Sequence, residues 1–239
     1  MRTHSRNRRV KRTSGIGWPL VVAFSLPAAI AILAVYLVPF IGTIRLSFTQ
    51  WPGIGDPKPV GLANYKDLLT DPTFYGSVRI TILFAAVVTL GVMVLATVTA
   101  MAVRQGRLAG MLRVIWFLPA IAPGTAIAVF WSFAFQPISG AVNGLLGLVG
   151  LGSSHAWLAS PDQARWAVMA VAIWAGVAFP FLILVGAIGR ISADLYEAAQ
   201  LDGAVGWRQA WYVTIPMIQP VLVMLTVLEL IWNFNSFTL

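Results

Sequence analysis

The chain has 239 residues, of which 59% are apolar and 10% charged, with a net charge of +8 and no cysteine. Soluble domains carry about 25% charged residues, so this composition excludes a water-soluble globule and points to the membrane. Without cysteine there is no disulfide framework, thiol nucleophile or thiolate metal site, and His4 and His155, in different loops, argue against zinc.

Crossing a hydrocarbon core of roughly 30 Å takes about 20 apolar residues as helix. Lipid offers no partner for backbone N–H and C=O groups, so the spans must be helical, and no barrel-type alternation is visible. The expected class is an all-α membrane protein, a polytopic helical bundle with five visible spans. Residues 1–17 form a basic tail bearing Arg2, Arg6, Arg8, Arg9, Lys11 and Arg12. It reads as a topogenic anchor at anionic headgroups rather than a nucleic-acid arm. The apolar stretch behind it is too long for a cleavable signal. Charges delimit the first span at 18–44. In the loop 45–79, Pro52, Gly53, Pro57 and Pro59 prevent regular structure at the start. Asn64 then caps a short helix over 64–69.

Residues 80–239 form the core. Its spans are 80–103, 114–135, 166–189 and 217–239. Pro119, Pro123 and Pro180 lie inside spans and predict kinks. The loop 136–165 is rich in Gly and Ser, and its apolar run (Leu145, Leu146, Leu148, Val149, Leu151) is too short to cross. It is expected on the outer surface with Trp157 at the headgroups, either as a connector or as a partner-contact surface.

Lys and Arg set the orientation. The tail, the turn with Arg104, Arg107 and Arg113, and the loop with Arg190 and Arg208 share eleven basic residues. Arg45, Lys58, Lys66, Arg79 and Arg165 make five on the other side. The bias predicts a cytoplasmic N-terminus and a cytoplasmic loop 190–216.

Span 217–239 carries Glu229, the one acid inside an apolar span, with Asn233 at i+4 and Ser236 at i+7 on the same helix face. A mid-membrane carboxylate must face protein or water. It marks a translocation path, an interhelical hydrogen bond or a position near the outer interface.

The loop 190–216 reads as a helix–turn–helix. Ser192 or Asp194 caps a helix carrying Leu195, Tyr196, Ala198, Ala199 and Leu201. Gly203 permits a sharp exit. A second amphipathic stretch with Trp207, Ala210 and Trp211 leads to Ile215–Pro216. By itself this is either an ordinary interfacial helix or one shaped to dock in a groove.

The spacing Glu197-Ala198-Ala199, Gly203, Val213, Ile215, Pro216 resembles the EAA signature of binding-protein-dependent ABC importer permeases, with Val213 and Ile215 where Ile and Leu are usual. SFTQWPG at 47–53, GLANYKDLLTDPTFYGSVRITILF at 61–84, RVIWFLPAIAPG at 113–124 and LYEAAQLDGA at 195–204 are similar to the carbohydrate-uptake branch. The resemblance implies a type I importer permease, working as a heterodimer with a second permease. It implies two cytoplasmic ATPase subunits that receive the loop, and an external solute-binding protein. ATP and Mg would sit on the partner ATPase, with no cofactor on this chain. Glu197, Ala198, Ala199, Asp202 and Gly203 would couple ATPase closure to alternating access for a sugar or polyol. Glu229, Asn233 and Ser236 would line the substrate path. The chain carries no GxxxxGK[ST] phosphate loop and is not expected to be an enzyme. The competing class is a secondary transporter or channel, which would need ionisable relay residues in several spans, where Glu229 stands alone. Relatives of this branch continue beyond a segment like IWNFNSFTL. The expectation is therefore a sixth span missing at the C-terminus, against the alternative of a genuine five-span protein.

Overall fold

The computed structural model describes residues 17–104, 106, 109–151 and 154–235. The basic residues of the tail up to Arg12, Arg107 and Ser236 lie outside them. The chain divides into two compact units, one ending at Tyr75 and one starting at Gly76.

In the first unit, α1 (Trp18–Ile32) and α2 (Val38–Ser47) form one apolar run, joined by a π-helical turn at Leu33–Leu37. None of its residues is buried within the chain. The π turn lies just ahead of Pro39. A proline ring clashes with the carbonyl four residues earlier, here Val35, and widening that turn relieves the clash. Strands β1 (Thr49–Gln50) and β2 (Lys58–Pro59) pair antiparallel, Thr49 with Pro59 and Gln50 with Lys58. They are followed by α3 (Ala63–Thr70). Asn64 does not cap α3. Leu62 holds the N-cap position, without a side-chain hydrogen bond. The Asn64 amide Nδ2 instead donates to the carbonyls of Ser47 (2.8 Å) and Thr49 (3.0 Å). Carbonyls at a helix end have no partner in the helix, and Asn64 supplies one.

The second unit takes in most of α4 (Pro72–Arg104). It continues with α5 (Ala109–Ile121), α6 (Gly124–Ala134), α7 (Ala141–Leu148), α8 (Pro161–Gly176) and α9 (Ala178–Gly189). Then come α10 (Ala193–Leu201), α11 (Trp207–Gln209) and α12 (Ile215–Phe234). Four helical runs are long and apolar enough to cross a membrane: Trp18–Ser47, Pro72–Arg104, Pro161–Gly189 and Trp207–Phe234. The third predicted span is not one straight helix. α5 and α6 meet at 111° across Ala122–Pro123. Pro123 has no N–H and drives the residue before it out of the helical region, so the chain turns where a kink was expected. Pro180 has a milder effect, a single-residue break at Val177 between α8 and α9.

The last span begins ten residues earlier than its apolar content implies. α11 runs through a π-helical turn, Ala210–Thr214, straight into α12. Pro216 follows this π turn by two residues, as Pro39 follows the first. Here the carbonyl displaced is that of Tyr212, and the same widening keeps the helix intact.

The core joins α4, α5, α9 and α12 through residues such as Val88, Val92, Trp116, Phe181, Leu184, Ile218 and Leu225. Two glycines bring α4 and α8 together. A Cβ on Gly91 would stand 2.6 Å from Ile173, and one on Gly176 would stand 2.9 Å from Val92. In lipid, where helices gain little from burying apolar surface against each other, such close approach supplies the dispersion that holds them.

The loop after α6 is ordered by one amide. Asn143, 1% exposed, donates from Nδ2 to the carbonyls of Gln136, Pro137 and His155. Its Oδ1 accepts from Trp157 Nε1 at 2.9 Å. Trp157 is therefore half-buried against Phe135, with its N–H spent inside the protein rather than offered to headgroups. A buried amide with all its hydrogen bonds made rigidifies the segment that supplies them. At Gly140 a Cβ would collide with the carbonyls of Gln136 and Ala134. Gly140→Ala should therefore displace the Asn143 cluster and cost about 1–3 kcal/mol, as overpacking does. Gly176→Leu should cost a similar amount by parting α4 from α8. Thermal unfolding in detergent, read by Trp fluorescence, checks both. Gly144→Ala, where nothing lies within 4 Å, is the neutral control.

Candidate functional site

The polar loop folds as a short helix and a turn. Ser192 occupies the N-cap of α10, but neither it nor Asp194 makes a side-chain cap. Asp194 still places an acid in the first turn, where the helix dipole favours it. The C-terminus closes with two bonds: Ala204 N–H to Ala199 C=O at 2.8 Å and Gly203 N–H to Gln200 C=O at 3.0 Å. This is a Schellman arrangement, and its C′ residue must be left-handed. Gly203 sits there with φ +78°.

One residue of α10 is buried, Tyr196, at 2% exposure. Its hydroxyl pairs with Thr214 Oγ1 at 3.0 Å, and its carbonyl accepts from Gln209 Nε2 at 2.9 Å. The Arg104 guanidinium lies over its ring, 3.2 Å from the centroid, a contact worth about 0.5–1 kcal/mol at an exposed site. Glu197, Ala198, Asp202 and Gly203 are exposed and Ala199 is half-buried. Leu201 is 90% exposed, an apolar side chain at the tip that none of the described residues covers. Trp207 and Trp211 stack on the next turn at 5.9 Å, both exposed.

Sequence reading thus placed the coupling candidates together on one exposed element. It named Tyr196 only as a helix residue and missed Arg104 and Thr214, which lie 92 and 18 residues away from it along the chain. No periodicity marks such pairs. The charge pattern did place Arg104 and the loop on one side, and their contact fits it.

The second candidate group is on α12. Glu229 is 5% exposed, and Asn233 Nδ2 donates to Thr89 Oγ1 on α4 at 3.1 Å. Glu229 and Asn233 line a cavity of about 470 Å3 with Ala120, Gly176, Phe179, Leu182 and Trp232. The Glu229 Oε2 atom lies 3.9 Å from where a Gly176 Cβ would stand. Asn233 is thus an interhelical hydrogen bond and a cavity wall at once. Ser236, the third member of the predicted face, lies outside the described residues. Gly176 and Thr89 were not singled out by sequence, because a small residue and a threonine are ordinary in spans.

The fold defines a polytopic α-helical membrane protein that presents a small polar helix at one end of its spans. The chain belongs to the family described as binding-protein-dependent transport system inner membrane component, whose model matches residues 92–239. It is 31% identical over 220 residues to the probable ABC transporter permease protein YurN of Bacillus subtilis (strain 168), covering 90% of this chain and 75% of YurN. It is 31% identical over 227 residues to the probable starch degradation products transport system permease protein AmyD of Thermoanaerobacterium thermosulfurigenes, covering 95% of this chain and 75% of AmyD. Among solved structures it resembles a chain of a bacterial alginate ABC transporter in complex with an alginate pentasaccharide-bound periplasmic protein. That match has a TM-score of 0.76 and 25% identity, covering 88% of this chain and 70% of that one. The chain is therefore an inner-membrane ABC permease subunit and not an enzyme.

The Schellman turn makes a direct prediction. Gly203→Ala meets no atom within 4 Å but forces a Cβ into left-handed backbone, at about 1 kcal/mol. Gly203→Asn should cost less, since Asn tolerates that region. Amide hydrogen exchange over 199–204 should quicken for Ala and change little for Asn.

Proposed function

We propose that this subunit serves an ATP-driven importer of a sugar or related polyol, and that the loop 197–216 couples ATPase closure to alternating access. The observation that carries the reading is the division of α10. Its single buried residue faces the spans, while Glu197, Ala198, Leu201, Asp202 and Gly203 are left exposed on a compact element. An exposed leucine beside two acids and a close-approach alanine pair suits a groove of another protein with basic residues at its rim. The partners are two cytoplasmic ATPases, which hold ATP and Mg, a second permease, and an external binding protein. The resemblance to AmyD and to the alginate transporter bound to its periplasmic protein supports a carbohydrate cargo. The basic bias together with the contact of Arg104 on Tyr196 supports a cytoplasmic loop and a cytoplasmic N-terminus.

The cargo's path passes the cavity at Glu229 and Asn233. Carboxylates and amides are the groups that pair with sugar hydroxyls, and Trp232 and Phe179, in edge contact at 5.2 Å, supply the apolar wall.

Two measurements test this. In the complete transporter, stimulation of ATP hydrolysis by loaded binding protein should fall about tenfold with Glu197→Lys or Gly203→Asp. ATPases that still co-purify would show that coupling, not assembly, is lost. Unchanged stimulation in both sinks the loop's role. Uptake of radiolabelled oligosaccharides and polyols should fall by about tenfold or more in Glu229→Gln, the scale of a lost hydrogen bond to a charged group. Equal uptake removes Glu229 from the path.

A further inference from the structure

Tyr196 makes three contacts with three different segments. Its ring lies under the guanidinium of Arg104, the last residue of α4. Its hydroxyl reaches Thr214, the last residue of the π turn that opens into α12. Its carbonyl holds Gln209 of α11. Tyr196 and Thr214 are both buried, so their bond is shielded from competing water.

The covalent routes out of α10 are softer. Toward α12 the chain passes Gly203 (φ +78°) and Gly206 (φ +57°), two left-handed glycines in a turn of exposed or half-buried residues. Toward α9 it passes Arg190–Ser192 with no side-chain cap. A force applied to the exposed face of α10 is thus poorly carried by the backbone on either side. Beside the tyrosine contacts lies a gap of about 60 Å3, lined by Met101, Arg104, Ile188, Gly206, Gln209, Ala210 and Thr214. No residue of α10 enters it. Among the described residues of α10, Tyr196 is the buried one, and its side chain makes the polar contacts that reach α4 and the π turn before α12.

We propose that Tyr196 is the positioning residue through which displacement of α10 reaches the spans, with Arg104 receiving it on α4 and Thr214 on α12. This rests on the reading of the loop as the coupling element. Tyr196 is buried, so it acts through Arg104 and Thr214. It joins the ends of two spans that meet again at Thr89 and Asn233, so one movement of α10 acts on both helices that bear the Thr89–Asn233 bond.

The chain has no cysteine, so introduced labels are specific. Spin labels at Val98→Cys on α4 and Val223→Cys on α12, both exposed, report the separation of the two spans. The complete transporter in liposomes is measured nucleotide-free and after trapping with ATP, Mg and vanadate. The original should show a trapped-state shift in that distance. Arg104→Gln, which removes the cation from an exposed side chain, should cut the shifted population about fivefold or more. Tyr196→Leu should do the same, Tyr196→Phe should lose part of the shift, and Arg104→Lys should keep most of it. In each case the ATPases should still co-purify. If Arg104→Gln and Tyr196→Leu both retain the original shift while Glu197→Lys loses it, Tyr196 is not the route, and the coupling role of the loop stands. If Glu197→Lys also retains it, or the original shows no shift, the coupling reading falls as well.

Discussion

In hydrocarbon a peptide N–H or C=O has no water to turn to, and each one left unpaired costs several kcal/mol. That constraint governs how this chain treats its prolines and its helix ends. Pro39 and Pro216 each displace a carbonyl inside an apolar run. In both places the helix answers with a π turn of five residues immediately ahead, which lets the helix run on. Pro123 falls two residues after α5 ends, and there the chain turns through 111°. Where a segment leaves regular structure, an amide side chain gathers the loose carbonyls: Asn64 takes two after α2, and Asn143 takes three around the loop after α6. These two residues have one physical job, although sequence gives no common mark for it.

The spans were legible because a charge in lipid is costly and therefore absent. Arg104 and Arg190 fall at the C-terminal ends of the second and fourth spans, whereas Arg79 and Arg165 lie inside helices that begin earlier, at Pro72 and Pro161. The same rule cannot see where a helix continues past its apolar stretch. The run from Trp207 to Thr214 is helical although it carries Arg208 and Gln209, because helix geometry depends on backbone pairing and not on hydropathy. Nor can composition distinguish a kink from a fold-back. Pro119, Pro123 and Pro180 read alike in sequence, yet α5 and α6 part sharply while α8 and α9 stay one span. In the loop 190–216, Gly203 was readable from the need for left-handed backbone, whereas Arg104 over Tyr196 is a tertiary contact that no spacing announces.

At Glu229 the packing of the bundle and the proposed cargo path share a site. The small residue Gly176 lets α4 approach α8 closely, and the same absence of a side chain leaves room beside Oε2 of Glu229. Asn233 ties α12 to α4 through Thr89 and also lines the cavity. A polar group placed there is held by the bundle in the geometry seen here. A movement that parts α4 from α12 would break its bond and free an amide toward the cavity. On the proposed reading, helix separation and the supply of polar groups to the cavity are one event.

That linkage gives a reason for the lopsided burial of α10. An element docked on its own bundle along a whole face would be held too firmly to be moved by an outside partner, while an element with no anchor would move without effect. One buried tyrosine gives α10 a strong, buried attachment, and leaves Glu197, Ala198, Leu201 and Asp202 exposed. The attachment joins the starting turn of α12 to the last residue of α4, the two helices that the Asn233–Thr89 bond connects deeper in the bundle. On the proposed reading, a displacement at the tip would be delivered to the pair of helices that line the cavity wall.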